Sequence, residues 1–315
     1  MKVLFISSGF HGAYVYIEAA IKQAFEKLTI NLCQNRCIPV NEFSQLENIC
    51  KKESPTHIIT LLGYKLPHSF LTWVQDAQIP LILWQTEDPY SMDLSLEVAP
   101  FATHILTIEK AAWNYYQQKG YHSLHLPLGA DYSIFKPIKQ NKNFASDLCL
   151  IGYPYPERVD MITFLAESFP VTINVAGNWY PYRLPSNVNI VGHWLSPQES
   201  ALYYSNSKIV LNSFRNCNLV QNKNSLSIRG LSPNNRLFEA AGCHTCQLSE
   251  LREDWSPWFN SEDIATFSNY KELFEQTEGL LNDSHKRQTY ATNSFKTATA
   301  KHSYMNRLST LLEWI

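Results

Sequence analysis

Asn187–Phe214 reads NVNIVGHWLSPQESALYYSNSKIVLNSF. Two short apolar, β-branched runs, NVNIVG and KIVLNSF, flank a helical pattern over Gln198–Ser205, with Ser196 as its N-cap. A strand, a helix and a second strand in so short a span form the crossover unit of a parallel sheet. The same alternation runs upstream through DLCLIGY, a helix at Glu157–Ser168, and VTINVAG. It also fills the first half: KVLFIS, HIITLL, PLILWQ and HILTI read as buried strands. Ala13–Leu28, Pro67–Gln78 and Glu109–Lys119 read as helices between them. The polar, Asn/Lys-rich stretch Lys139–Ser146 reads as a linker. The expected fold class is therefore α/β, with two Rossmann-like doubly wound domains facing across a cleft. Their bounds are 1–140 and 146–292, and 293–315 forms a helical segment free to pack back on the N-terminal domain.

The 315 residues are 45% hydrophobic and 17% charged, enough apolar content for two sizeable cores. The net charge of −2 and the absence of a basic tract argue against nucleic acid as a partner. No apolar stretch of about 18 residues is present, so no membrane span is expected. The opening MKVLFISSGFHG reads as a first strand rather than a secretory signal. Seven scattered cysteines suggest free thiols in a reducing cytoplasm. CHTC at Cys243–Cys246 lacks a second cysteine pair in its own domain, so these read as small buried residues, and no metal is expected.

Ser232–Glu250, SPNNRLFEAAGCHTCQLSE, carries the clearest chemical signal. Ser232 suits an N-cap, Pro233 the first helical position and Gly242 the left-handed C′ position, giving a helix over Pro233–Ala241 and then a strand. The helix start holds Asn235 and Arg236 and no acid, so a negative group is missing there. A long polar loop, Arg215–Leu231, precedes it. Arg215, Asn235, Arg236 and a helix N-terminus would suit a diphosphate, and Glu239 one turn on would accept from a ribose diol. The alternative is an Arg236–Glu239 surface pair. Two more strand exits, at Asn178 and at His193–Trp194, could hold a flat base, Trp194 offering a stacking face. The alternative for Trp194 is burial before the Ser196-capped helix.

Together, NVNIVGHWLSPQESALYYSNSKIVLNSFR, LSPNNRLFEAAGCHTCQLSE, KHSYMNRLSTLL and LWQTEDPYSMD resemble the GT-B glycosyltransferases, in particular the CgeB-type spore-maturation family. The resemblance implies a nucleotide-sugar donor bound mainly to the second domain, a glycan or protein acceptor at the first, and no metal or other cofactor. It assigns the ribose to Glu239. Retaining relatives often carry another acid seven or eight residues before that glutamate, where this chain has Ser232 and Leu231, which weakens the transfer of their mechanism and leaves the stereochemical outcome open. Neither the base, the sugar, the acceptor nor the oligomeric state follows from the sequence.

In the first domain, SSGFHGAY sets His11 between Gly9 and Gly12, where backbone can approach a ligand. QTEDPY follows a strand, so Glu87 and Asp88 are expected near the cleft, each a candidate general base beside His11. The alternative is loop capping by Asp88 and a solvated Glu87. Asp131 reads as a turn former, and His302, Tyr304 and Arg307 as packing residues of the tail. Two rivals to glycosyl transfer remain: a nucleotide-sugar epimerase, and a non-catalytic structural protein on the same fold.

Overall fold

A computed structural model describes residues 1–315. It divides into two compact units, each built on a six-stranded parallel sheet. The first comprises Met1–Leu128, Asn216–Ser232 and Tyr304–Ile315, and the second Gly129–Arg215 and Pro233–Ser303. The chain therefore passes between the units four times.

In the first unit the strands are β1 (Lys2–Ile6), β2 (Asn31–Ile38), β3 (His57–Leu61), β4 (Leu81–Gln85), β5 (His104–Thr107) and β6 (Ser123–His125), in the order β2-β1-β3-β4-β5-β6. The helices are α1 (Ala13–Lys27), α2 (Leu46–Glu53), α3 (His68–Asp76), α4 (Met92–Val98) and α5 (Lys110–Gln118). Alternate strand residues serve opposite faces. Val3, Phe5, Ile59 and Trp84 pack on one side with Ile21 and Phe25 of α1. Leu4, Ile6, Ile58 and Leu83 pack on the other with Leu46 of α2 and Phe70 of α3. This two-sided burial is why the strands read as unbroken apolar runs.

The second unit holds β7 (Ser146–Ile151), β8 (Ile173–Ala176), β9 (Val188–Gly192), β10 (Ser207–Asn212), β11 (Cys246–Glu250) and β12 (Ala265–Phe267). Their order is β12-β11-β10-β7-β8-β9. Its helices are α6 (Pro156–Ser168), α7 (Pro197–Asn206), α8 (Arg236–Gly242), α9 (Tyr270–Asn282) and α10 (Ser284–Lys301). A capping box fixes the start of α7: Ser196 accepts from the Glu199 N–H, and the Glu199 carboxylate accepts from the Ser196 N–H. The last helix, α11 (Tyr304–Trp314), belongs to the first unit, where Tyr304, Leu308 and Leu311 join Val3 and Phe5.

Three expectations need correction. The units part at Leu128/Gly129, ahead of the Lys139–Ser146 stretch, because Ala130 and Phe135 are already buried in the second unit's core. The helix expected from Pro233 starts at Arg236, and Asn235 at its N-cap makes no capping bond. Ser232 is instead held inside the first unit, its Oγ accepting from the Lys110 N–H at 2.9 Å. Gly242 is not a left-handed C′ residue but the last residue of α8. The left-handed position falls at His244 (φ 57°). Gly242 is required by close approach, since a β-carbon there would lie 2.6 Å from the Phe135 carbonyl and from the Tyr132 ring.

Candidate functional site

In an open parallel sheet, ligands collect at the strands' carboxyl ends, where the strand order reverses. In the second unit that point lies between β7 and β10. The loop leaving β7 begins at Gly152 (φ 158°), and the loop leaving β8 at Gly177 (φ 131°), both outside the range of most side chains. A β-carbon on Gly152 would run into the guanidinium groups of Arg236 and Arg158, and one on Gly177 into the Gly152 carbonyl. The buried Trp179 locks the two loops, its Nε1 donating to the Gly152 carbonyl at 2.9 Å.

Three arginines converge here. Arg158, on α6, is buried; its Nη2 and Nε donate to the Ser213 carbonyl (2.8 Å) and Oγ (3.1 Å) after β10, and its Nη1 to the Tyr153 carbonyl (2.9 Å). Arg215 continues the β10 exit. The guanidinium carbons of Arg158 and Arg215 lie 5.0 and 5.6 Å from the Tyr155 ring centre. Arg236, on α8, donates from Nη1 to Asn212 Oδ1 at 2.8 Å while its Nη2 overlies Gly152. Asn234 Nδ2 donates to the same Asn212 oxygen at 3.1 Å, and Asn234 Oδ1 is buried without a partner.

Arg236 and Glu239 form no ion pair, so the surface-pair alternative falls. Glu239 Oε1 accepts from Asn235 Nδ2 at 2.7 Å. Burial pushes the Glu239 carboxyl up to about 7, against the opposing pull of Arg236 and Asn235. Asn178, His193 and Trp194 stand exposed at the exits of β8 and β9, with the His193 and Tyr180 rings 4.2 Å apart. Trp194 is 52% exposed, so it is not buried before the Ser196-capped helix as the alternative reading has it.

Within the first unit, Gly9 and Gly12 have positive φ (76° and 67°), and His11 is exposed. His11 lines a cavity of about 410 Å³ with Phe10, Val15, Lys22 and Arg36, over the buried Glu18. Glu18 fixes the loop, accepting from Ser7 Oγ, the Ser8 N–H and Ser8 Oγ. Glu87 is half-buried and accepts from Tyr14 of α1 at 2.9 Å. Asp88 is not brought beside them. It is 1% exposed and accepts from Ser95 Oγ (2.7 Å), Thr107 Oγ1 (2.7 Å) and Tyr116 OH (3.1 Å). Burial raises its carboxyl to about 6 despite those bonds.

Cys243 and Cys246 are buried free thiols, their pKa values raised by burial. Asp131 caps its turn, accepting from the Ser133 N–H. His302 packs among the Phe238, Trp258 and Phe259 rings, and Arg307 Nε donates to the Pro127 carbonyl. No helix is long and apolar enough to cross a membrane.

Arg158, Asn212 and Asn234 escaped sequence reasoning. The available signal was an arginine closing GYPYPER, in the first turn of the helix after the unit's first strand.

A family model described as glycosyl transferase-like matches residues 158–313. The chain is 32% identical to the spore protein CgeB of Bacillus subtilis (strain 168), over 94% of this chain and 93% of that protein. Among solved structures, the sucrose-phosphate synthase of Thermosynechococcus elongatus superposes with a TM-score of 0.68 at 12% identity, covering 99% of this chain and 98% of that one. Anabaena HepE in complex with UDP and glucose gives 0.65 at 14% identity, covering all of both chains. HepE with UDP-glucose gives 0.63 at 14% identity, over 99% of this chain and all of the other. Both neighbours share the fold of this chain, two Rossmann-like domains in the GT-B architecture.

Proposed function

The chain belongs to the CgeB-type family of glycosyltransferase-like proteins, and we propose that it moves a sugar from a nucleoside-diphosphate-sugar donor to a glycan or protein acceptor. The observation that carries this reading is the gathering of Arg158, Arg215 and Arg236 around the carboxyl ends of β7 and β10. Departure of a nucleoside diphosphate builds negative charge on the leaving oxygens, and fixed guanidinium donors stabilise that charge. Arg215 and Arg236 take the diphosphate, with Asn235 at the start of α8. Arg158 holds the β7 and β10 exits together and adds its charge. Glu239 accepts from the ribose diol, and the His193–Trp194 exit with Asn178 holds the base. The HepE complex with UDP-glucose supports a nucleotide-sugar donor and makes UDP the first nucleotide to test.

For the acceptor we assign the general base to Glu87, which Tyr14 orients, and assign His11, Gly9 and Gly12 to the acceptor loop. Asp88 drops out of this role because its oxygens are enclosed and bonded. The arginines serve in place of a metal, so the reaction is metal-independent in this proposal. We assign the setting to spore-surface polysaccharide assembly and to the cytoplasm; of these, the link to spores is what the CgeB relative, a spore protein, supports.

Thermal shift with UDP, TDP, GDP and CMP tests the donor pocket, and at least one should stabilise the protein. Silence across the panel would favour a structural protein. NMR of the sugar product separates transfer from epimerisation; an epimerised nucleotide-sugar would sink the transferase. Arg236→Ala and Glu239→Ala should each weaken nucleotide binding by about 1.5–3 kcal/mol. EDTA should leave transfer intact, and its loss would overturn the metal-free step.

A further inference from the structure

The sheet of the second unit has a second charged end. At the amino ends of β10 and β11, against the first turns of α10, lies a polar cavity of about 240 Å³. Lys208, Arg287, His244, Ser284 and Gln288 line it. Arg287 is anchored by its Nη1, which donates to the Leu280 and Leu281 carbonyls at the end of α9. Its Nε and Nη2 carry no hydrogen bond. Lys208 Nζ pairs with Asp147 Oδ1 at 2.7 Å and keeps its other protons for a second partner. Asp147 is committed elsewhere, its Oδ2 accepting from the Thr172 N–H and Oγ1. Asp283, at the N-cap of α10, is likewise bonded to the Lys286 N–H. His244 Nε2 pairs with Thr292 Oγ1 at 3.2 Å, leaving Nδ1 open. The Ser284 hydroxyl makes no hydrogen bond. Arg287 and Lys286 stand close enough to Cys246, on the cavity wall, to oppose the burial that raises its thiol.

A donor-rich cavity with an unsatisfied guanidinium edge and an ammonium group suits a compact oxyanion. Its volume is too small for a nucleotide. We propose that this cavity binds a phosphate-class oxyanion, either inorganic phosphate or a phosphomonoester with a small organic body, separately from the donor arginines at the other end of the sheet. The bound anion bridges Arg287 of α10 and Lys208 of β10, so occupancy ties the start of α10 to the sheet.

The test is thermal shift of the full chain against inorganic phosphate and glycerol phosphate, each compared with chloride at matched ionic strength. A saturable rise in Tm above the chloride control is expected. Saturation with glycerol phosphate at lower concentration assigns the phosphomonoester; inorganic phosphate saturating first assigns the free ion. Arg287→Ala should weaken the response about tenfold or more, while stabilisation by the donor nucleotide persists. Arg236→Ala should do the reverse. If Arg287→Ala folds poorly, Lys208→Gln should also weaken the phosphate response. A response no larger than chloride, one unchanged in Arg287→Ala and Lys208→Gln, or one lost only in Arg236→Ala overturns the proposal. In the last case the anion occupies the donor site.

Discussion

In the proposed donor site Glu239 meets two demands that pull apart. A ribose diol needs an ionised acceptor, while burial holds the carboxyl at about 7, above its ordinary 4.5. Donor affinity should therefore rise as pH climbs through 7. A nucleotide-sugar is the right probe, because its diphosphate diester does not titrate there. Glu239→Gln should bind more weakly and show a flat profile, and a wild-type profile already flat would remove Glu239 from the ribose. Stability runs the opposite way. The folded state holds the proton more tightly, so this contribution is fully present below 4.5 and is lost as pH rises to 7. Glu239→Gln should melt higher than wild type at pH 8 and gain nothing at pH 4. Arg236 and Glu239 drew notice in the sequence through a helix expected from Pro233 with no acid at its start, whereas α8 starts at Arg236 and carries Glu239 in its first turn. Arg158 drew none, since its meaning depends on Ser213, which follows β10 and lies 55 residues on. For Asp88 the sequence left a base and a capping residue both open, because it gives the end of β4 but not which of two neighbouring acids turns inward to Ser95, Thr107 and Tyr116.

Elements whose residues alternate cleanly between two buried faces were readable: β1, β3, β4, β5, β7 and β10 all carry apolar runs. β2 was missed because NLCQNRCI is broken at Gln34 and Asn35, both with positive φ, where its register against β1 shifts. β6 and β12 span only three residues each, too short to show a period. The start of α8 was misread because Ser232 has two possible uses, and its bond to the Lys110 N–H prevails over a cap. Gly242 was rightly singled out, for the wrong reason. Gly242→Ala should cost about 1–3 kcal/mol by overpacking against Phe135 and Tyr132. Chemical denaturation checks it. A loss near zero would mean that the Phe135 segment can retreat.

At the scale of the molecule, two Rossmann-like sheets were legible from the repeated strand-helix alternation, but the allotment of chain to units was not. Burial of Ala130 and Phe135, and of Tyr304 and Leu308, depends on long-range partners that no local window contains. Truncation after Ser303 removes α11 and uncovers Val3, Phe5 and Leu61 of the first unit. Differential scanning calorimetry should then show the first unit's transition lowered or absent while nucleotide still stabilises the second. Intact melting of both would deny α11 its place in that core. The same arrangement bears on synthesis. A ribosome releases the chain from its N-terminus, yet the first unit's core closes only when Tyr304–Trp314 emerges. The half made first is thus the half finished last, and a nascent chain carries an open apolar face through most of translation, within reach of chaperones and proteases.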